Sequence, residues 1–412
     1  MNNKSSLLSY PWVIVAVLWV VAFLNYLDRI LITSMRDPIV NEFSLTDAQF
    51  GLLTSVFLWS YGFLSPLGGY LADRYSRKKV IIFSVFVWSA VTMWTGFTSS
   101  FEEMIYARIL MGVSEACYIP AALALITDYH KGRTRSLATG LHMSGLYAGL
   151  ALGGIGGYIA ELWGWRYGFQ AFGAFGVLYS FFLLYILRDY KNTVEEDAAE
   201  EKQGIEPRMS LPQTFKFLFS KTAYIILLIY FCVLGMVNWL INGWLPTFLR
   251  EHFNLNLGEA GMSATGYIQI GSFIGVVLGG LWADRWARTN VKGRVYVVII
   301  GFSLGAPVLF LMSSTAVFGI AILAMMIFGL ARGFNDANLM PIMRQIVDGR
   351  YSATAYGFLN FLSTIVGGIM VYVGGALKDA NVGLAVVYQV CAVIMILATF
   401  TLFGLKLKNS KE

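Results

Sequence analysis

Twelve stretches of the chain are long and apolar enough to cross a lipid bilayer, and nothing else in it restricts the fold so strongly. They cover roughly 12–34, 48–70, 80–98, 103–127, 136–160, 168–188, 222–248, 260–283, 294–312, 316–341, 353–376 and 383–405. A helix needs about 20 apolar residues to cross a hydrocarbon layer of about 30 Å, and the runs meet that length. Composition agrees: 57% of the 412 residues are hydrophobic and 13% charged, where a soluble domain carries about 25% charge. The fold class expected is an all-α membrane protein with twelve transmembrane helices. No Ala-x-Ala-like site follows a short apolar segment, so the first run is expected to stay as a span.

One long polar connection, 189–221, holds Glu195, Glu196, Asp197, Glu200, Glu201, Lys202, Gly204 and Pro207. It reads as a solvated cytoplasmic linker with one amphipathic turn. It divides the chain into an N-terminal six-helix half, 1–188, and a C-terminal six-helix half, 222–412. The halves are pseudo-symmetric repeats. Gly68-Gly69-Tyr70-Leu71-Ala72-Asp73-Arg74-Tyr75-Ser76-Arg77 ends span two, and Gly279-Gly280-Leu281-Trp282-Ala283-Asp284-Arg285-Trp286-Ala287-Arg288 ends span eight. Glu115 precedes Pro120 in span four as Asp336 precedes Pro341 in span ten. Two such halves with a site between them are transporter architecture.

Orientation follows from the basic residues. Of the 30 lysines and arginines, Arg36, Arg166, Arg250 and Lys378 fall on one side of the membrane, and Arg29, Arg108 and Arg332 lie within spans. The rest lie on the other side, which is predicted to be cytoplasmic together with both termini. The protein is thus expected to be multi-pass in the cell (inner) membrane and monomeric. Cys117, Cys232 and Cys391 all fall in apolar spans and read as buried thiols. His130, His142 and His252 are scattered without zinc spacing, and neither a nucleophile elbow nor a phosphate loop occurs. No metal, cofactor, nucleic acid or enzymatic activity is expected.

Charges inside the spans are the features most in need of explanation. Asp28 and Arg29 lie toward the end of span one, and each costs about 2.5–3.5 kcal/mol at mid-membrane. Either they snorkel to water or they face a polar cavity and work there. Adjacent on a helix, they point about 100° apart, so each needs partners on other helices. Arg108 and Glu115 lie in span four, seven residues apart on one face. The depths of Arg108 and Asp28 match, so these two are expected to pair if their helices are neighbours, as a static ion pair or as working groups. In span ten Arg332 and Asp336 are one turn apart and either neutralise each other or serve the cavity or its inner gate. Asn238 and Asn242 in span seven, with Asn360, Ser363 and Thr364 in span eleven, are candidates for binding hydroxyls, beside Tyr26 and Tyr61. Interfacial packing explains the tryptophans of span seven nearly as well. Gly145, Gly149, Gly153 and Gly157 in span five, and Gly271, Gly275 and Gly279 in span eight, recur every four residues. They are read as a sliding seam between the halves.

The stretch Gly69 to Lys79 resembles the signature of the major facilitator superfamily between spans two and three, Gly-x-x-x-Asp-Arg-x-Gly-Arg-Lys, with Ser76 in place of the usual glycine. Within that superfamily, Asn25-Tyr26-Leu27-Asp28-Arg29, Arg108 with Gly112-Val113-Ser114-Glu115-Ala116, Gly164-Trp165-Arg166-Tyr167-Gly168-Phe169 and Gly243-Trp244-Leu245-Pro246 look like the anion:cation symporter family. That resemblance implies symport of a small organic anion, such as a sugar acid, with protons. Asp28 and Glu115 would carry the protons, and Arg29 and Arg108 would contact the anion. Spinster-like lipid carriers share the Asp-Arg and Glu-Ala pieces and are the alternative. At the inner ends of spans two and eight, Asp73, Arg74 and Arg77 are mirrored by Asp284, Arg285 and Arg288. They are expected to latch the inside shut while the cavity faces out.

Overall fold

The computed structural model describes residues 9–130, 134–190, 211–347 and 351–407. Most of the linker predicted at 189–221 lies outside them. In chain order the helices are α1 (Tyr10–Leu31), α2 (Arg36–Phe43), α3 (Asp47–Arg74), α4 (Arg77–Thr95), α5 (Phe101–Glu115), α6 (Tyr118–Tyr129), α7 (Arg135–Leu152), α8 (Ile155–Trp163), α9 (Trp165–Ile186), α10 (Leu211–Phe219), α11 (Thr222–Phe253), α12 (Leu257–Ala287), α13 (Gly293–Ser314), α14 (Phe318–Ile346), α15 (Ser352–Asp379) and α16 (Leu384–Thr401). Eleven helical stretches suffice to cross a membrane, and the pair α7–α8, bent by 46°, makes a twelfth. The described residues contain no strand, as a bilayer requires, since a helix satisfies its backbone polar groups internally.

Both halves use the same pairings. First span packs on fifth (α1 on α7; α11 on α15), second on fourth (α3 on α5; α12 on α14), and third on sixth (α4 on α9; α13 on α16). Between the halves, α3 lies along α15, and α12 lies along α7 and α8. Most of the striped glycines therefore serve a different purpose from the one expected. Gly145, Gly149 and Gly153 back onto Trp19, Phe23 and Ile30 of α1, and Gly271, Gly275 and Gly279 onto Met326, Leu330 and Phe334 of α14. They let helices approach within each half. At the seam itself stand Gly157 against Leu257 and Gly154 against Gly261. A four-residue repeat reports close helix packing but not which neighbour is packed, and α7 has one on either side.

The two halves meet tightly at the end of the bundle where α1 finishes, the Ser34 end. Arg36 pairs with Asp37 and Asp47, Arg250 crosses to Asp37, and Lys378 holds Asp47 at 3.0 Å and Glu251 at 2.9 Å. The Asp379 carboxylate accepts from the backbone N–H groups of Asp47 and Ala48, both at 2.8 Å, so it caps α3 from the other half. The space enclosed there by Thr33, Ser34, Pro246, Thr247 and Ala260 is about 10 Å³, too little to hold more than about one water. This end is sealed. A side chain at Gly154 would run into the Gly261 backbone, so Gly154→Val is expected to pry the seal apart. A cysteine placed at buried Thr247 should then change from unreactive to reactive toward a water-soluble maleimide. Gly140→Val, where a Cβ meets open space, is the control, and unchanged labelling in Gly154→Val would show that this contact does not seal.

The Trp165-Arg166 dipeptide is a clamp at this same end. Arg166 reaches Glu42 at 2.6 Å and the Thr98 carbonyl at 2.6 Å, and the Trp165 indole donates to Glu42 at 2.7 Å. Burial pushes the Glu42 carboxyl up, but the hydrogen bonds from Arg166 and Trp165 outweigh it and hold the group below its ordinary value.

At the opposite, Tyr10 end the charges pair within each half. Arg77 of α4 meets Asp128 of α6, and Asp284 of α12 meets Arg294 of α13. Ser76 caps α4, accepting from the Lys79 N–H at 3.2 Å and donating to Asp189, which also accepts from the Lys78 N–H at 3.0 Å. The departure from glycine at that position thus supplies a helix cap.

Candidate functional site

The polar centre of the N-terminal half exists because α5 stops at Glu115. Pro120 has no N–H to offer the Ala116 carbonyl four residues back, and its ring crowds that carbonyl, so the helix breaks at Ala116–Cys117 and restarts as α6. Gly112, one turn earlier, leaves no room for a side chain between α5 and the Phe57 carbonyl of α3. The resulting closeness places Phe57 and Tyr61 of α3 beside Arg29 of α1.

Arg29 is buried, 2% exposed, and its Nε donates to Glu115 Oε2 at 2.6 Å. Glu115 is 0% exposed. Nη2 of the same guanidinium donates to Asn25 Oδ1 at 3.0 Å. The rings of Tyr61, Tyr26 and Phe57 lie 4.3, 4.5 and 5.3 Å from it. Each ring face adds about 0.5–2 kcal/mol of cation–π attraction in a dry setting. A charge that composition alone would make costly is therefore well housed.

The expected Arg108–Asp28 ion pair is not formed. Arg108 donates through Nε to the Leu53 carbonyl at 3.1 Å and lies over Phe57, 4.9 Å away, so that one ring serves both arginines. Its Nη2 has no partner. Asp28, 2% exposed, accepts one long hydrogen bond from Thr92 of α4 at 3.4 Å, and its Oδ1 has no partner. The cause is angular: consecutive residues on α1 diverge, so Arg29 turns toward α3 and α5 while Asp28 turns toward α4. Matching depth did not specify the partner.

The C-terminal half contributes Arg332 and Asp336 of α14, whose Nε and Oδ2 are 3.7 Å apart. Asn335 donates to Asp336 at 3.3 Å while accepting from the buried Tyr230 hydroxyl at 3.1 Å. From the other half, Tyr147 lies near Asp336. Tyr26 stands within electrostatic reach of Tyr61 and Arg332, and Tyr147 and Tyr356 of Tyr26, of each other and of Asp336. Tyr26 and Tyr61 were expected at a site. Thr92, Tyr147, Tyr230 and Tyr356 were not, although a polar residue inside an apolar span was a usable signal.

The other predicted residues are distributed as follows. Ser363 packs against Gly235 of α11, and Thr364 against Gly62 of α3. Asn238, Asn242 and Asn360 are half-buried on α11 and α15. The indole of Trp244 is fully buried and donates to the Val371 carbonyl at 2.8 Å. Of the expected gate, Arg74 reaches the Tyr70 hydroxyl at 2.6 Å, Arg77 and Asp284 take the partners given above, and Arg285 lines a surface groove with Leu281, Trp282 and Arg288. The side chain of Asp73 lies outside the described residues.

The family model described as Major Facilitator Superfamily matches residues 18–371 and 269–412. A probable sulfoacetate transporter of Cupriavidus necator is 27% identical over 84% of this chain and 82% of its own. A D-galactonate transporter of Escherichia coli is 26% identical over 73% of this chain and 72% of its own. The protein spinster of Drosophila melanogaster is 27% identical over 92% of this chain and 64% of its own. Among solved structures, a bacterial homologue of the human lysosomal transporter Spinster, described as inward-facing and occupied, shares the fold with a TM-score of 0.79 at 21% identity over 96% of each chain.

Proposed function

The chain belongs to the Major Facilitator Superfamily and is a multi-pass membrane transporter, not an enzyme, and from that premise we propose that it carries a small organic anion, a sugar acid such as a hexuronate, aldonate or sialate, together with protons. The observation that carries this reading is the buried Arg29–Glu115 pair. A guanidinium binds a substrate carboxylate as readily as it binds a glutamate, and bidentately where geometry allows. Glu115 and the substrate therefore compete for one cation. Protonating Glu115 frees Arg29 for the anion, and losing that proton lets Glu115 take Arg29 back and expel it. Asp28 has no cation paired to it, and an ionised carboxylate left so in a buried place is costly. It is suited to carrying a proton through this state.

The bias of lysine and arginine places the Tyr10 end in the cytoplasm. The sealed Ser34 end is then the outer one, and the arrangement is that of an inward-facing carrier whose halves rock about the central site. Arg74, Arg77, Asp284 and Arg285 then latch the inner end when it closes, exchanging their partners within each half for partners across it.

The test is uptake of labelled D-gluconate into vesicles carrying the purified protein. Accumulation is expected when the outside is made acidic, and a protonophore should collapse it. Uptake indifferent to the gradient would end the coupling claim. A second reading, a Spinster-like lipid carrier, is supported by the spinster match over 92% of this chain; competition by a lysolipid but not by gluconate would favour it.

A further inference from the structure

Arg29 and Glu115 are covered, whereas Arg332 and Asp336 keep side-chain exposures of 14% and 29%. At 3.7 Å their separation is beyond a hydrogen bond, so neither saturates the other. Asp336 is nonetheless held in place by Asn335 at 3.3 Å, which Tyr230 fixes in turn, and Tyr147 of the other half lies near it. The charges around the central space then sum simply. Arg332 and Asp336 cancel. With one proton on Asp28 or Glu115 and the other acid ionised, Arg29 and Arg108 leave one positive charge. A substrate with one negative charge neutralises that centre, and a second carboxylate would have to lie against Asp336.

We propose that Asp336 reads the end of the substrate remote from its carboxylate as a hydrogen-bond donor, so that the carrier takes a singly charged polyhydroxy acid and excludes the corresponding diacid. The inference rests on the anion reading above and narrows it. A carboxylate accepts from a hydroxyl but offers a second carboxylate only repulsion, which a low-dielectric site amplifies. Arg332 lies one turn away, 3.7 Å from Asp336, without covering it.

Equilibrium binding to the purified full chain of D-gluconate and D-glucarate, open chains that differ at C6 alone, with D-glucose as the uncharged parent sugar, tests this. Gluconate is expected to bind at least 10-fold more tightly than glucarate, and glucose not measurably. Asp336→Asn should narrow the gluconate-to-glucarate ratio at least 5-fold, and Asp336→Glu should keep it. A native ratio within 2-fold would overturn the proposal and leave the anion reading standing. An unchanged ratio in a folded Asp336→Asn protein would also overturn it, and if that variant does not fold, the native ratio and Asp336→Glu decide alone. Glucose binding as well as gluconate, or gluconate not binding, would overturn the anion reading itself.

Discussion

Arg29→Lys is expected to weaken binding of the sugar acid by about 1.5–3 kcal/mol, roughly 10- to 150-fold, the worth of one charge-assisted hydrogen bond. The guanidinium already divides its donors, with Nε on Glu115 and Nη2 on Asn25, and its flat face is matched to Tyr26 and Tyr61. An ammonium keeps the charge but loses both the fork and the stacking. Arg29→Ala should nearly abolish binding. That change also strands Glu115, and breaking a buried pair costs about 3–5 kcal/mol, so the control is Arg29→Ala combined with Glu115→Gln. The pair of changes should recover thermal stability without recovering binding. Titration with labelled gluconate alongside thermal unfolding separates the two effects. Lysine at position 29 binding as well as arginine would remove Arg29 from the anion site.

Loss of coupling is the second large effect. Glu115→Gln imitates the protonated acid and leaves Arg29 permanently available, so exchange of internal for external substrate should persist. Accumulation driven by a pH gradient should fall to none, because no proton can be given up on the inner side. Asp28→Asn should behave likewise for a different reason. Its carboxyl accepts from Thr92 at 3.4 Å and lies near Trp88, donors that an amide oxygen can serve equally well, so the fold should tolerate the change. Counterflow and gradient-driven uptake measured on the same vesicles distinguish coupling from damage. If either variant still concentrates substrate in response to the gradient, the proton is carried elsewhere.

Much of this protein was legible from one dimension. Span number and the repeat of the halves follow from apolar runs, since in a bilayer each helix satisfies itself; the break of span four at Ala116–Cys117 was not read from them. The span edges differ from the apolar runs mainly because helices such as α12 and α14 continue past the apolar stretch, to Ala287 and Ile346. The presence of charges inside the spans was equally plain, because Asp28, Arg29, Arg108 and Glu115 stand in otherwise apolar sequence.

What the sequence by itself determined was an inventory: twelve spans, two like halves and a small set of misplaced charges. The partners were decided only by the tertiary structure. Arg29 meets Glu115, Asp28 forms no ion pair, Arg108 turns to the Leu53 carbonyl, and most of the striped glycines close each half while Gly157 stands at the seam. The physical reason is that depth along a helix is set by residue number, whereas the direction in which a side chain points takes effect only through the neighbour that packing brings to that face.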